Sequence, residues 1–298
     1  MIYTSANISF TSRIVERLKL YGELIKLRLT SLVAFSSAFG YILGARETFN
    51  WQVFLFLCVG GMLVSGAAIT FNQIFETAYD KVMKRTQNRP LPTGRITAYE
   101  AYVFAFVSGV SGLILLLIFT NVLTVILALV SAILYSLVYT PLKRVGPIAV
   151  FVGAIPGALP PLLGWTAATG AISLEALIIF GIQFIWQFPH FWAIAWVADE
   201  DYKRAGFKLL PGDGKKDMNT AINIMIYTLF LIPLGLLPAK FGISGLNSAI
   251  VATICGVLFL AQTFNLMKDY SRTSALKIMY GSFLYLPIVQ IAYLIDKI

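Results

Sequence analysis

Three oxygen-bearing side chains, Asn72, Glu76 and Asp80, recur at every fourth residue where an apolar stretch becomes polar. On an α-helix this spacing places all three on one face. Carboxylate and amide oxygens, with the other coordination positions left to water and phosphate, are the ligands that Mg²⁺ prefers. The spacing therefore predicts a magnesium site that takes a phosphate compound.

Basic residues follow these acids directly, at Lys84, Arg85, Arg89 and Arg95. Guanidinium groups bind phosphate oxygens in bidentate fashion, which agrees with a phosphate ligand. A helix cap followed by a solvated basic loop is the alternative interpretation. It explains the bases, but not a register of acids that leads back into an apolar helix, where acids are costly.

A second acidic cluster, Asp199, Glu200 and Asp201, is also followed by bases, the first of which is Lys203. A charge run of this kind on its own also fits a solvated helix end. On the same side of a membrane as the first cluster, it would supply a second Mg²⁺ position, and two ions would clamp a diphosphate. Metal-assisted loss of diphosphate is the chemistry that the pair of clusters predicts.

His190 lies among aromatic residues within an apolar stretch and is the one histidine of the sequence. An ionisable group inside a membrane indicates a functional site, and neutral imidazole is a common axial ligand of haem iron. A structural hydrogen bond explains such a histidine equally well. Both interpretations remain open at the level of sequence.

The elements that position these residues are membrane-spanning helices. The chain has 298 residues, of which 58% are hydrophobic, and a mean hydropathy of +0.79, which excludes a soluble globular protein. We predict an all-α integral membrane protein with nine transmembrane helices, each needing about 20 apolar residues. The apolar stretches lie at about 29–45, 51–75, 98–118, 122–139, 148–168, 175–197, 219–238, 246–265 and 276–295.

The charge pattern predicts the topology. With nine alternating spans, 20 of the 23 Lys and Arg residues fall on one side, and only Arg46, Lys240 and Lys297 fall on the other. The positive-inside rule then places the N-terminus in the cytoplasm and the C-terminus outside. Because the net charge of +9 is accounted for in this way, it does not indicate a nucleic-acid partner.

We predict one domain at 29–298, preceded by a cytoplasmic segment at 1–28. The two acidic clusters lie about 125 residues apart, each after a span, which indicates a weak internal duplication that makes the second and sixth helices equivalent. An Arg-rich, acid-free leader is absent from the sequence given, which favours the plasma membrane of a bacterium or archaeon over an organelle.

The run from Asn72 to Asp80, with Lys84-Arg85-Thr86 and Asn88-Arg89-Pro90-Leu91-Pro92 after it, resembles the first aspartate-rich motif of the UbiA superfamily of intramembrane prenyltransferases. Segments within 139–144, 157–165, 186–191 and 201–211 resemble the branch that transfers a farnesyl group to protohaem IX. The resemblance covers roughly residues 25–290 and consists of several motifs in the same order.

The resemblance implies nine helices around a central cavity, Mg²⁺ as cofactor, and farnesyl diphosphate and protohaem IX as substrates. It also implies water addition to the product and a link to a haem A synthase or a terminal oxidase assembly. The implied metal ligands are Asn72, Glu76, Asp80, Glu200 and Asp201, and all of these except Glu200 are also expected to be catalytic. The implied diphosphate partners are Arg85, Arg89, Lys143, Arg144 and Lys203, and the haem-binding candidate is His190.

The sequence departs from that branch in four places. Gly146 and Ala149 stand where Thr and Asn are expected, Lys208 stands where Pro is usual, and Asp199 is an additional acid. Two other functions compete. One is a superfamily enzyme that prenylates an aromatic quinone precursor, against which the His190 segment argues. The other is an ion-coupled transporter, against which the position of the acids beside arginines at one membrane face argues.

Overall fold

The computed structural model describes residues 10–46 and 48–298, which form twelve α-helices and one π-helical segment. The first half contains α1 Phe10–Leu24, α2 Leu27–Gly44, α3 Trp51–Asp80, α4 Ala98–Phe119, α5 Val122–Ile133, the π-helix Leu134–Tyr139 and α6 Thr140–Leu142. The second half contains α7 Ile148–Thr169, α8 Leu174–Val197, α9 Asp199–Arg204, α10 Met218–Lys240, α11 Leu246–Asp269 and α12 Arg272–Ile295.

The nine predicted spans are confirmed: across 10–46 and 48–298, nine helices are long and apolar enough to cross a membrane. The fourth combines α5, the π-helix and α6 over Val122–Leu142. Side-chain caps begin several of them, as where Asn50 Oδ1 accepts hydrogen bonds from the backbone N–H groups of Gln52 and Val53. The third helix, α3, continues past its apolar run to Asp80, so the first acidic cluster lies on its last turns.

Helices α2 and α7 pack backbone against backbone through two glycines. A Cβ atom on Gly40 would lie 1.9 Å from the carbonyl oxygen of Pro161, and one on Gly164 would lie 1.9 Å from that of Ser37. Small residues allow this close approach between membrane helices, where van der Waals packing replaces the hydrophobic effect. Either position therefore excludes every larger side chain.

A buried polar network joins four of the spans. Gln290 Nε2 on α12 donates to Gln183 Oε1 on α8 at 2.9 Å, and Gln183 Nε2 donates to the carbonyl of Gly157 on α7 at 2.8 Å. Ser36 Oγ on α2 lies 3.4 Å from the same Gln183 oxygen. These bonds fix the relative rotation of apolar helices that would otherwise slide against one another.

The end of α2 is completed by a residue from the far end of the chain. Lys297 Nζ donates to the carbonyl oxygens of Ile42 and Ala45 at 2.6 and 2.7 Å. The last turn of a helix leaves carbonyls without intrahelical partners, and a cationic side chain satisfies them while complementing the helix dipole.

An elbow between α1 and α2 carries the chain into the first span. Leu20 and Leu24 of α1 pack with Leu91 and Ile96 of the loop that follows α3, and Gln73 Nε2 on α3 donates to the carbonyl of Leu24. Lys26 sits at the elbow with a φ of 49°, in the left-handed region that few non-glycine residues adopt. Helix α1 was not predicted, and residues 1–9 of the predicted N-terminal segment lie outside the described residues.

Candidate active site

The first acidic cluster is buried on one face of α3, as its spacing predicts. The exposed fractions of Asn72, Glu76 and Asp80 are 1%, 5% and 0%. The last turns of α3, segment 140–147 and the loops 81–97 and 198–217 meet at one end of the bundle, which we call the charged end. Buried acids of this kind require partners, because desolvation disfavours an isolated charge.

The three side chains of the first cluster each have a basic or polar partner at the charged end. Asp80 Oδ2 lies 2.7 Å from an Nη atom of Arg89, and Glu76 Oε1 lies 2.8 Å from Lys143 Nζ. Asn72 Nδ2 donates to Thr140 Oγ1 at 2.8 Å. The other carboxylate oxygen of Asp80, Oδ1, is buried without a hydrogen-bond partner among the described residues. A buried carboxylate oxygen without such a partner calls for an explanation, and a bound cation would be one.

Asp201 joins the second cluster to the first. Its carboxylate oxygens accept hydrogen bonds from the backbone N–H groups of Lys84 and Arg85, at 3.1 and 3.2 Å. The two acidic segments therefore meet at one end of the bundle. The Asp201 carboxylate thus contacts the backbone of the loop that follows the first cluster. It does not contact the carboxylates of Glu76 and Asp80.

The other two acids of the second cluster differ sharply in exposure. Asp199 is buried and lies 2.8 Å from Lys203 Nζ and 3.2 Å from Lys216 Nζ, whereas Glu200 is exposed. Within the described ranges, no group of three or more His, Cys, Asp or Glu side chains is close enough to hold a metal ion. A metal role for Glu200 stays a prediction.

The predicted diphosphate partners differ in the side chains that they contact. Arg89 and Lys143 are bound to the buried acids, and Arg144 donates to Tyr79 Oη at 2.8 Å while lying over the Tyr79 ring. Arg85 lies over the ring of Tyr202 on α9, with 5.6 Å from its guanidinium carbon to the ring centroid. Lys203 is exposed, and its ion-pair partner is Asp199 of its own cluster.

A cavity of about 350 Å³ opens beside the acids of α3. Glu76, Tyr79, Thr140 and Arg144 are polar residues on its wall, and the remaining wall is largely apolar, including Phe75, Leu137 and Phe207. This volume is at the lower end of the range found for small-molecule sites. The cavity places an apolar surface next to a carboxylate and a guanidinium group, which suits a ligand with a hydrocarbon part and an anionic part.

Lys26 is a site residue that the sequence interpretation missed. Burial, and to a smaller extent the positive charges of Arg89 and Lys143, lower the pKa of its amine from 10.5 to about 7, against the opposing charges of Asp80 and Glu76. The elbow between α1 and α2 therefore places this amine within electrostatic range of the acids of α3. A lysine immediately before the first apolar run is the signal that could have found it.

His190 is buried between α8 and α12. Its Nδ1 atom lies 2.8 Å from Ser282 Oγ, and its ring stacks on Trp186 with centroids 4.4 Å apart. Trp186 Nε1 donates to the carbonyl of Ser282 at 3.0 Å. The structural hydrogen bond that the sequence left open is thus present, and His190 Nε2 has no partner among the described residues.

Comparison with known proteins identifies the class. Residues 33–286 match the UbiA prenyltransferase family, and the chain belongs to that family of multi-pass membrane prenyltransferases. The chain is 52% identical over 278 residues to a protein from Cytophaga hutchinsonii named protoheme IX farnesyltransferase, covering 93% of this chain and 97% of that one. A protein of the same name from Christiangramia forsetii is 43% identical over 282 residues, covering 93% of each chain.

Solved structures agree in fold. A digeranylgeranylglyceryl phosphate synthase matches with a TM-score of 0.78 and 23% identity, over 94% of this chain and 98% of that one. A UbiA homologue from Archaeoglobus fulgidus, bound to GPP and Mg²⁺, matches with a TM-score of 0.65 and 16% identity, over 92% and 99% of the two chains. The helix arrangement is therefore that of the family.

Proposed function

We propose that the chain transfers the farnesyl group of farnesyl diphosphate to a vinyl group of protohaem IX, with addition of water, to give haem O. The observation that carries this proposal is the 52% identity to the Cytophaga hutchinsonii protein along nearly the full length of both chains. The charged end supports it because it holds buried carboxylates for metal ions next to cations for a diphosphate.

The residues of the first cluster suit Mg²⁺. Asp80 Oδ1 is a buried oxygen without a partner among the described residues, and amide and carboxylate oxygens of Asn72 and Glu76 flank it on α3. We propose that these three hold one ion and that Asp201, with Glu200 after a rotation of its side chain, contributes to a second. Mg²⁺ when bound neutralises the charge that develops on the leaving diphosphate.

The cations of the charged end change partners during the reaction. Arg89 and Lys143 neutralise Asp80 and Glu76 at 2.7 and 2.8 Å. We propose that they turn to the diphosphate when these acids engage metal ions, with Arg85, Arg144 and Lys203 as further partners. The buried charges thus stay paired before and after this exchange, which limits their desolvation cost.

The bond between farnesyl C1 and the diphosphate oxygen breaks with both electrons leaving on oxygen, and the basic residues stabilise that charge. The resulting allylic cation is shielded from water by the aromatic walls of the cavity, which include Phe75, Tyr79 and Phe207. The terminal vinyl carbon of the porphyrin then forms a bond to C1. Water adds to the cation left on the adjacent carbon, and one proton is released.

His190 is the candidate for contact with the acceptor. Ser282 Oγ donates its proton to the carbonyl of Met279 at 2.6 Å, so the bond to His190 requires Nδ1 to be the protonated ring nitrogen. The lone pair is then on Nε2, which is the form of imidazole that ligates haem iron. We propose axial contact between this nitrogen and protohaem IX.

The charge distribution supports an orientation. Because 20 of 23 Lys and Arg residues lie on one side of the nine spans, we propose that the charged end and the N-terminus face the cytoplasm and that the C-terminus lies outside a plasma membrane. We further propose one domain at 29–298 whose helices surround a central substrate cavity. Haem O would pass from it to a haem A synthase or a terminal oxidase assembly.

Product mass tests the proposal. Purified protein is incubated with Mg²⁺, farnesyl diphosphate and haem, and in parallel with 4-hydroxybenzoate in place of haem. A farnesylated and hydrated haem is the expected product. Prenylated benzoate alone would move the chain to the quinone branch of the family. Folded protein that consumes no diphosphate substrate in a metal-dependent manner would favour the transporter alternative.

A further inference from the structure

Thr140 holds one end of the Asn72 side chain. Asn72 Nδ2 donates to Thr140 Oγ1 at 2.8 Å, and both residues are buried, with exposed fractions of 1% and 5%. An asparagine amide has a carbonyl oxygen at one corner and an NH₂ group at the other, and only the oxygen ligates a hard cation. Which corner faces the carboxylates therefore decides whether Asn72 contributes a metal ligand.

The hydroxyl proton of Thr140 is already engaged. Thr140 Oγ1 donates to the carbonyl of Tyr135 at 2.9 Å, five residues earlier. Thr140 follows the π-helical turn Leu134–Tyr139, whose wider winding brings the carbonyl at i−5 within reach of the hydroxyl. In a regular α-helix a threonine hydroxyl bonds to the carbonyl at i−3 or i−4 instead.

A hydroxyl that has donated its proton can only accept from a neighbour. Thr140 therefore attracts the NH₂ corner of Asn72 and directs the carbonyl oxygen away from itself. No donor among the described residues bonds to Asn72 Oδ1. This oxygen is also not one of the fully buried polar atoms that lack a partner, so it is accessible. The oxygen is thus available on the face of α3 that also carries Glu76 and Asp80.

The same short segment also serves the next acid of α3. Lys143, three residues after Thr140, lies 2.8 Å from Glu76, which is four residues after Asn72. Segment 140–143 consequently runs beside α3, with Thr140 contacting Asn72 and Lys143 contacting Glu76. Thr140 also lines the cavity beside Glu76, so its bond to Asn72 lies at the edge of the site.

We infer that Thr140 is a positioning residue that fixes the Asn72 amide with its oxygen toward the metal ion. This inference rests on the proposed function, because it assumes that Asn72 ligates Mg²⁺. Positioning by partners of this kind is worth roughly 10- to 100-fold in metal affinity. The effect belongs to the metal, so it is visible without turnover.

Binding of Mn²⁺ to the full-length protein tests this, measured by electron paramagnetic resonance with an unreactive thio analogue of farnesyl diphosphate present. Thr140→Val keeps the shape of the side chain but cannot accept a hydrogen bond, so we expect it to weaken Mn²⁺ binding about tenfold. Thr140→Ser retains the hydroxyl, and we expect nearly normal binding.

Asn72→Asp provides the matched background, since a carboxylate presents an oxygen whichever way it turns. Adding Thr140→Val to Asn72→Asp should weaken Mn²⁺ binding no further, because orientation no longer matters. An equal loss in both backgrounds would mean that Thr140 acts on the fold alone, and unchanged binding in the single Thr140→Val variant would overturn the inference directly. Failure of the unaltered chain to bind Mn²⁺ would instead refute the proposed metal site itself, and the inference with it.

Discussion

Arg89 and Asp80 form a partly buried ion pair across the start of the loop that follows α3, with 2.7 Å between an arginine Nη atom and Asp80 Oδ2. Asp80 has no exposed surface, and its second oxygen has no partner among the described residues. One carboxylate therefore presents an occupied oxygen and an available oxygen on the same face of a helix. A residue placed in this way serves both the resting charge balance and an incoming cation.

Asp80→Asn tests this double role. We expect turnover to fall by at least about 100-fold, because the site loses a charged ligand for the metal that stabilises the leaving group. Steady-state farnesyl transfer with varied Mg²⁺ measures the loss. Asp213→Asn is the matched control, since Asp213 is an exposed acid for which no metal or substrate role is proposed, and we expect a much smaller effect. Near-normal activity of Asp80→Asn would remove Asp80 from the site.

Asp201→Ala should uncouple the two acidic segments. The change removes the acceptor for two backbone N–H groups of the loop, and hydrogen bonds to charged groups contribute about 1.5–3 kcal/mol each. We expect a lower melting temperature and faster proteolysis within 81–97, together with loss of turnover. Asp213→Ala, which changes an exposed acid of the same segment 198–217, serves as the reference for charge removal alone. Loss of activity without any change in proteolysis would assign Asp201 to metal binding only.

Lys26 predicts a pH dependence of stability. Its pKa in the folded chain is lowered to about 7 from 10.5, so between these values the folded state binds fewer protons than the unfolded state. Stability therefore rises as the pH rises through this window. We expect the melting temperature of the metal-free protein to increase from about pH 7 to about pH 9 by more than it does in Lys26→Met. The same rise in both proteins would show that other groups cause it.

His190 and Ser282 predict a spectroscopic result. Haem titrated into the purified protein should give a Soret band typical of an imidazole ligand, which His190→Ala abolishes. Ser282→Ala removes the acceptor that fixes the ring nitrogens and should weaken haem binding, whereas Ser282→Thr should preserve it. If His190→Ala leaves both the haem affinity and the absorbance spectrum unchanged, axial ligation is wrong and the packing role of His190 is the whole account.

The spans and the acid register could be predicted from the sequence because both depend on local pattern. Apolar runs of membrane length identify the spans, and the four-residue spacing of Asn72, Glu76 and Asp80 identifies their shared face once a helix is assumed. This prediction did not require knowledge of any tertiary contact. Counting spans also predicted that the two acidic segments lie on the same side of the membrane.

The partners of these acids could not be predicted, because they depend on how the helices pack. Nothing in the sequence around Asp201 indicates that it bonds to backbone N–H groups of Lys84 and Arg85. Lys26 resembles an ordinary interfacial lysine until the elbow turns it toward α3. The π-helical turn before Thr140 is equally hidden, because its residues fit a regular helix.

The bond between Lys297 and the end of α2 has a consequence for biosynthesis. The span formed by α2 is inserted well before α12 is made, yet the carbonyls of Ile42 and Ala45 gain the Lys297 amine only after α12 has been synthesised. The end of α2 thus reaches its final packing late, although the helix is inserted early. In nascent chains that stall before α12, these carbonyls lack the Lys297 amine.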